Sequence, residues 1–211
     1  MDTIAVVSYT KSQTSKFPVT LKCCDVFIIN QDDKNRYLSN MSSYNDGSKW
    51  ENILWFLEEM TLWDDYAYMW FPDETIAMDE DTAKNYLDLV VKKNFLISQP
   101  SVDISCRKLT HKVLLTDKKQ LFRRSGFVGI DAPCFHTGFV KSSLLPFLQE
   151  NRDSLKSGWG LDMWWSQLNC NDLYIVDTVS MNLQPPKADI GKIGIQEKEG
   201  IVKKYNLTSK I

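Results

Sequence analysis

The sequence predicts an α/β fold, a mixed and mainly parallel sheet flanked by helices on both faces. Three observations carry this prediction. Tyr66 to Phe71 (YAYMWF) is an unbroken apolar and aromatic run, which reads as a strand covered on both faces. Ile4 to Val7 and Cys24 to Asn30 (CDVFIIN) are earlier strand-like runs that each open into polar residues. Between and after these runs the apolar spacing turns helical: Trp50, Ile53, Leu54 and Leu57 share one face, and Ala83, Tyr86, Leu87 and Val90 share another.

The Tyr66–Phe71 strand organises the rest. Pro72 ends it, because proline cannot donate to a ladder. Asp73, Glu74 and Thr75 follow at once, so an acidic cluster sits at the C-terminal end of a central strand. That edge is where open α/β sheets bind ligands. Oxygen ligands there suit a hard divalent cation, and the cation in turn suits a diphosphate.

The remaining elements follow in chain order. Ser8, Tyr9 and Thr10 end the first strand, and Asn30 to Asp33, with Asp32 among them, end the second. Two polar strand ends side by side make either a nucleotide cradle or a pair of solvated loops. Asn45-Asp46-Gly47 is a turn, and Ser48 with Glu51 forms a capping box that starts a helix. Lys49 lies in that helix's first turn, where the dipole disfavours a cation. It is either an ordinary surface lysine or one retained for a ligand phosphate. Asp79-Glu80-Asp81 opens the next helix, with capping as the favoured reading.

Phe95 to Ile97 reads as a short strand and Ser98 to Ser101 as a polar turn. Residues 107–126 carry seven Lys or Arg against one acid, which reads as a solvated loop and an edge strand. Gly126 to Phe135 is strand-like and ends near Asp131 and Cys134. Cys134 reads as packing, and His136 as structural or substrate-orienting. Leu144 to Leu148 is helical. In Ser157 to Trp165, two glycines flank Trp159 and allow a close backbone approach. Asp162 follows near a helix start, where it is either a cap or a carboxylate placed for chemistry. Leu173 to Val176 is the last clear strand, and Glu197 to Tyr205 a closing helix.

Length and composition set bounds. With 211 residues, a single domain over 1–211 is expected. The net charge of −2 gives no argument for a nucleic-acid partner. Five cysteines without a CxxC pair favour reduced thiols and a cytoplasmic setting. The N-terminus lacks the pattern of a signal peptide, and no run is long enough to span a membrane.

WFPDET (Trp70–Thr75), ISQPS (Ile97–Ser101), APCF (Ala132–Phe135) and GWGLDMWW (Gly158–Trp165) together resemble a glycosyltransferase family with the GT-A fold. The order and spacing match over roughly residues 45–185. The resemblance extends to the glycosyltransferase domains of chlorella-virus capsid-glycosylation proteins. It implies a Rossmann-like nucleotide-binding half, a UDP-sugar donor, a glycan acceptor on a capsid glycoprotein, and Mn2+ or Mg2+. By that pattern Asp73 and Thr75 hold the metal. Asp73 also lies along the donor diphosphate, Ser8 to Thr10 and Asp32 hold uridine, and Asp162 acts at the transferring sugar; Lys49 and Gly160, from their own placement, are expected to join the donor site. Asp79-Glu80-Asp81 also matches the DxD signature of nucleotide-sugar enzymes. Thr75 stands where relatives have a second carboxylate, and Leu183 near where they have a histidine. Water, Asp79 or Asp81 would then complete the metal shell.

Other classes remain open at this level. A carbohydrate-binding module would use tryptophan stacking without UDP or metal. A structural domain would use the acids as caps. A nucleotidyltransferase would need a glycine-rich phosphate loop near the first strand, which is missing from the sequence.

Overall fold

The structure is a computed structural model, and it describes residues 2–9, 17–18, 20–31, 41–103, 105, 111–168, 171–183 and 190–208. Among the described residues an eight-stranded sheet forms the centre. Its strands are β1 (Thr3–Tyr9), β2 (Asp25–Asn30), β3 (Ser42–Tyr44), β4 (Tyr68–Trp70), β5 (Ile97–Val102), β6 (Phe122–Arg124), β7 (Cys134–His136) and β8 (Leu173–Met181). They lie in the order β3-β2-β1-β4-β7-β5-β8-β6. β7 and β6 run against their neighbours and the other pairings are parallel. Consecutive residues of β1, β2 and β4 are buried, so both faces of these strands are covered, as their apolar runs require.

The helices are α1 (Lys49–Glu59), α2 (Glu80–Lys93), α3 (Thr137–Phe139), α4 (Leu145–Glu150), α5 (Leu161–Leu168) and α6 (Ile190–Lys204). A π-helical turn over Val140–Leu144 joins α3 to α4. α1 starts where its capping box predicts: the Ser48 N–H donates to the Glu51 carboxylate at 2.8 Å. α2 starts with Asp79, whose Oδ1 accepts from the Thr82 N–H at 2.7 Å, and ends on Asn94 in the left-handed conformation. The tryptophans are mainly core: Trp50, Trp63, Trp70, Trp164 and Trp165 are buried. No helix among the described residues is long and apolar enough to cross a membrane.

Two predicted boundaries are corrected. Ser98 to Ser101 is not a turn but the body of β5, and Ser98, Gln99 and Ser101 are fully buried. Each polar side chain there has an internal partner. Ser98 Oγ meets Tyr86 Oη at 3.0 Å, and Ser101 Oγ donates to the Val179 carbonyl at 2.9 Å. Pro100 is tolerated because the register shifts between Pro100 and Ser101. In the second correction, the strand predicted from Gly126 is confined to Cys134–His136. Residues 125–133 are an irregular, mostly buried loop instead, tied down group by group. Gln99 Oε1 accepts from the Gly129 N–H at 2.5 Å, Trp165 Nε1 donates to the Val128 carbonyl at 2.8 Å, and Trp70 Nε1 donates to the Ala132 carbonyl at 3.2 Å.

The segment leading into α5 is wedged between two helices. Gly158 has φ +79°, and a Cβ there would lie 2.1 Å from Trp50 Cδ1 of α1. Gly160 has φ +100°, and its Cβ would lie 3.1 Å from the Lys198 Cα of α6. Trp159, between them, lies on Gly194 of α6, where an added Cβ would come within 2.5 Å of the indole. Gly158→Ala therefore combines a left-handed backbone, about 1–2 kcal/mol, with overpacking against a buried ring, about 1–3 kcal/mol. Chemical denaturation should show a loss in the sum of those ranges, and an unchanged midpoint would contradict the contact.

Candidate active site

The C-terminal edge of the parallel strands gathers the charged residues. Asp73 follows β4 after Phe71 and Pro72. Its N–H donates to the Asp131 carbonyl at 2.7 Å, and its own carbonyl accepts from the Ile76 N–H at 3.1 Å, which closes a turn over Glu74 and Thr75. Asp131 reaches the same place by another route. β7 is antiparallel to β4, so the loop entering β7 lies against the end of β4, with Phe71 N–H donating to the Pro133 carbonyl at 2.9 Å.

Lys49, at the start of α1, joins the two. Its ammonium pairs with Asp73 Oδ1 and donates to the Ile130 carbonyl at 2.7 Å and the Asp131 carbonyl at 3.1 Å. An ammonium has three N–H donors, and here three oxygens meet them. The unfavourable place of this lysine in the first helical turn is thereby explained: the anionic cluster outweighs the helix dipole.

Asp162 is in the first turn of α5, and its Oδ1 accepts from the Met163 N–H at 2.9 Å. It is a first-turn carboxylate and not the residue before the helix. Burial pushes its carboxyl up to about 6, against the opposing pull of the Met163 and Gly160 N–H groups and the Lys198 charge. The Asp131 carboxyl is likewise raised, by burial first and then by the negative charge of Asp73, with Lys49 opposing and Asp162 adding to the rise. The charges of Asp73, Lys49 and Asp162 all act on the Asp131 carboxyl.

The other expected residues are distributed as follows. Ser8 is at the end of β1, and its hydroxyl accepts from Asn52 Nδ2 at 2.7 Å and from Gln31 Nε2, which ties β1 to α1 and to the end of β2. Tyr9 is half-buried at the same edge, and its carbonyl accepts from the Gln31 N–H at 3.0 Å. Thr10 and Asp32 lie outside the described residues. Gly160 packs on α6. Thr75 is half-buried in the turn after Asp73. Asp79 is exposed and caps α2, while Asp81 lies exposed in that helix's first turn. Leu183 is partly buried against the core. His136 sits at the opposite end of β7, paired with Tyr68, and its Nδ1 accepts from the Gly138 N–H at 3.1 Å, which is a structural role. Cys134 is buried, with its thiol well above the usual range through burial, in agreement with packing. Asp131 is the site residue that the sequence reading passed over. Its signal was a carboxylate closing an apolar run, which by itself has no direction.

Among the described residues no group of three His, Cys, Asp or Glu side chains is arranged to hold a metal ion. One side-chain oxygen and two carbonyl oxygens nevertheless already converge on a cation, the Lys49 ammonium. Oxygen donors are also the kind that a hard divalent ion takes.

The fold is that of the GT-A glycosyltransferases. S. aureus TarS 1-349 superposes with a TM-score of 0.60 at 12% identity, covering 96% of this chain and 66% of that one. The same protein in complex with UDP-GlcNAc gives 0.56 at 10% identity, covering 98% and 72%. GalNAc-T7 with UDP, GalNAc and Mn2+ gives 0.58 at 9% identity, covering 95% and 48%. The chain spans only 40% of a longer TarS structure. Residues 40–181 match the family described as "Protein of unknown function (DUF707)", and the chain belongs to that family. No curated protein matches the sequence.

The raised Asp162 carboxyl has a stability consequence. Its folded value, about 6, lies above the ordinary 3.8, so between these values the folded state holds more protons than the unfolded one. The contribution is favourable at low pH and is lost as pH rises through about 6. Asp162→Asn should therefore unfold at higher temperature than the wild type at pH 7.5, with the difference shrinking toward pH 4. A difference that is the same at both pH values would contradict a raised carboxyl.

Proposed function

We propose that this chain is a glycosyltransferase that moves a hexosyl group from a UDP-sugar, UDP-glucose-like or UDP-rhamnose-like, to a hydroxyl of a glycan acceptor. The observation that carries the proposal is the gathering of Asp73, Asp131, Asp162 and Lys49 at the C-terminal edge of the central strands of a GT-A fold. It is supported by similar structures solved with UDP-GlcNAc and with UDP, GalNAc and Mn2+. The acceptor is a glycan on a glycoprotein. The sequence resemblance implies a viral capsid protein as that glycoprotein and the host-cell cytoplasm as this chain's own setting.

In this proposal the ends of β1 and β2, at Ser8 to Thr10 and Asp32, receive uridine. Asp73 with Thr75 and the Asp131 loop would hold a divalent cation, Mn2+ or Mg2+, which when bound would supply Lewis-acid neutralisation of the departing diphosphate. Lys49, released from Asp73, turns its ammonium to a phosphate oxygen. Gly160 would meet the donor through its backbone alone, since the space over its Cα is taken by Lys198 of α6. Asp162 is the carboxyl of the site that burial raises to about 6. It faces the positive charge developing at the anomeric carbon, or takes the proton from the acceptor hydroxyl, for which a raised pKa suits it.

Calorimetric titration with UDP and several UDP-sugars, with and without Mn2+, tests this directly. Mn2+-dependent binding is expected, and Asp73→Ala should weaken it by about 10-fold or more, equivalent to about 1.4 kcal/mol. Asp162→Asn should bind UDP as the wild type does, with turnover reduced by about 100-fold. Absence of UDP binding under both conditions would refute the proposal.

A further inference from the structure

One carboxylate from outside the sheet holds the segment ahead of Asp162. Glu197 of α6 is 8% exposed. Its Oε2 accepts from the Lys156 N–H at 3.2 Å, the Ser157 N–H at 2.6 Å and the Ser157 Oγ at 2.8 Å. Its Oε1 accepts from the Gly158 N–H at 2.9 Å. Three consecutive backbone N–H groups thus converge on one side chain. Irregular backbone has no ladder to satisfy its donors, and a buried donor without a partner is costly.

The next residue of α6 completes the hold, since the Lys198 Cα closes the space over Gly160. Trp50 closes it over Gly158 from the other side, and Trp50 adjoins Lys49 in α1. The segment 156–160 therefore has little freedom of its own. It leads directly into the first turn of α5, which carries Asp162. We propose that Glu197 is a positioning residue for Asp162, acting through residues 156–160 to fix where the Asp162 carboxylate stands relative to Asp73 and Lys49. Glu197 lies outside the residues matched by the family, 40–181. The catalytic consequence of this proposal rests on the glycosyltransferase reading, and the structural consequence does not.

Glu197→Gln in the full chain separates the two. Glutamine keeps the shape of the side chain but replaces one acceptor oxygen with an NH2 group that faces backbone donors. Amide hydrogen exchange should lose protection over residues 156–162 and keep it over β1 and β2. UDP affinity should stay at the wild-type value, while kcat falls by about 100-fold, the scale expected when a reacting group is displaced by about 1 Å. Ser157→Ala, which removes only the hydroxyl contact, should give a smaller effect in the same direction. Unchanged protection over 156–162 would overturn the proposal. So would protection lost equally from β1, which would make Glu197 a general stabiliser, or an unchanged kcat with a loosened segment. Wild-type protein that transfers sugar from no donor would instead overturn the glycosyltransferase reading, and the exchange comparison would still decide whether Glu197 fixes the segment.

Discussion

The interaction on which the site depends is the Lys49 ammonium against Asp73 and the carbonyls of Ile130 and Asp131. Asp73 and Asp162 are both close enough for their charges to be felt at Asp131. Without a cation such a cluster would repel itself, and burial raises the carboxyls of Asp131 and Asp162. One ammonium bonds to the strand end and to the loop before β7 at the same time. It therefore neutralises charge and also sets the spacing of two segments that are far apart in sequence.

That arrangement is possible because β7 runs against β4. In an all-parallel sheet, the segment beside the end of β4 would be the exit of its neighbour. Here it is the entrance, so residues 125–133 arrive at the ligand edge before the chain enters the sheet. The loop is not regular, and its rigidity comes from side chains: Gln99, Trp70, Trp165 and Lys49 each take one or more of its backbone groups. Buried polar residues in β5 and indole N–H groups thus serve the site without touching its edge. The α6 carboxylate does the same for the segment ahead of Asp162.

Most of the fold was legible because its central strands β1, β2 and β4 are buried on both faces. Runs such as Ile4–Val7, Cys24–Asn30 and Tyr66–Phe71 have no other economical reading, and the Ser48–Glu51 box marks the start of α1 locally. β5 was not legible, because Ser98, Gln99 and Ser101 look like a turn until their partners in α2, β8 and the 125–133 loop are in place. Asp73 and Asp162 could be picked out from local sequence, one after a strand-ending proline and one after the Gly158-Trp159-Gly160 turn. Asp131 and Glu197 could not. The first depends on the direction of β7, and the second on backbone donors some forty residues earlier in the chain. Thr10 and Asp32 lie outside the described residues, and of the strand ends proposed to receive uridine the structure describes Ser8 and Tyr9.

The most direct measurement is a crystal structure of the chain with UDP and Mn2+. The account predicts uracil and ribose across the C-terminal ends of β1 and β2, the diphosphate facing Asp73 and Lys49, and the open side of that diphosphate turned toward Asp162. UDP bound elsewhere on the molecule, with the Lys49–Asp73 pair intact and the sheet edge empty, would contradict it.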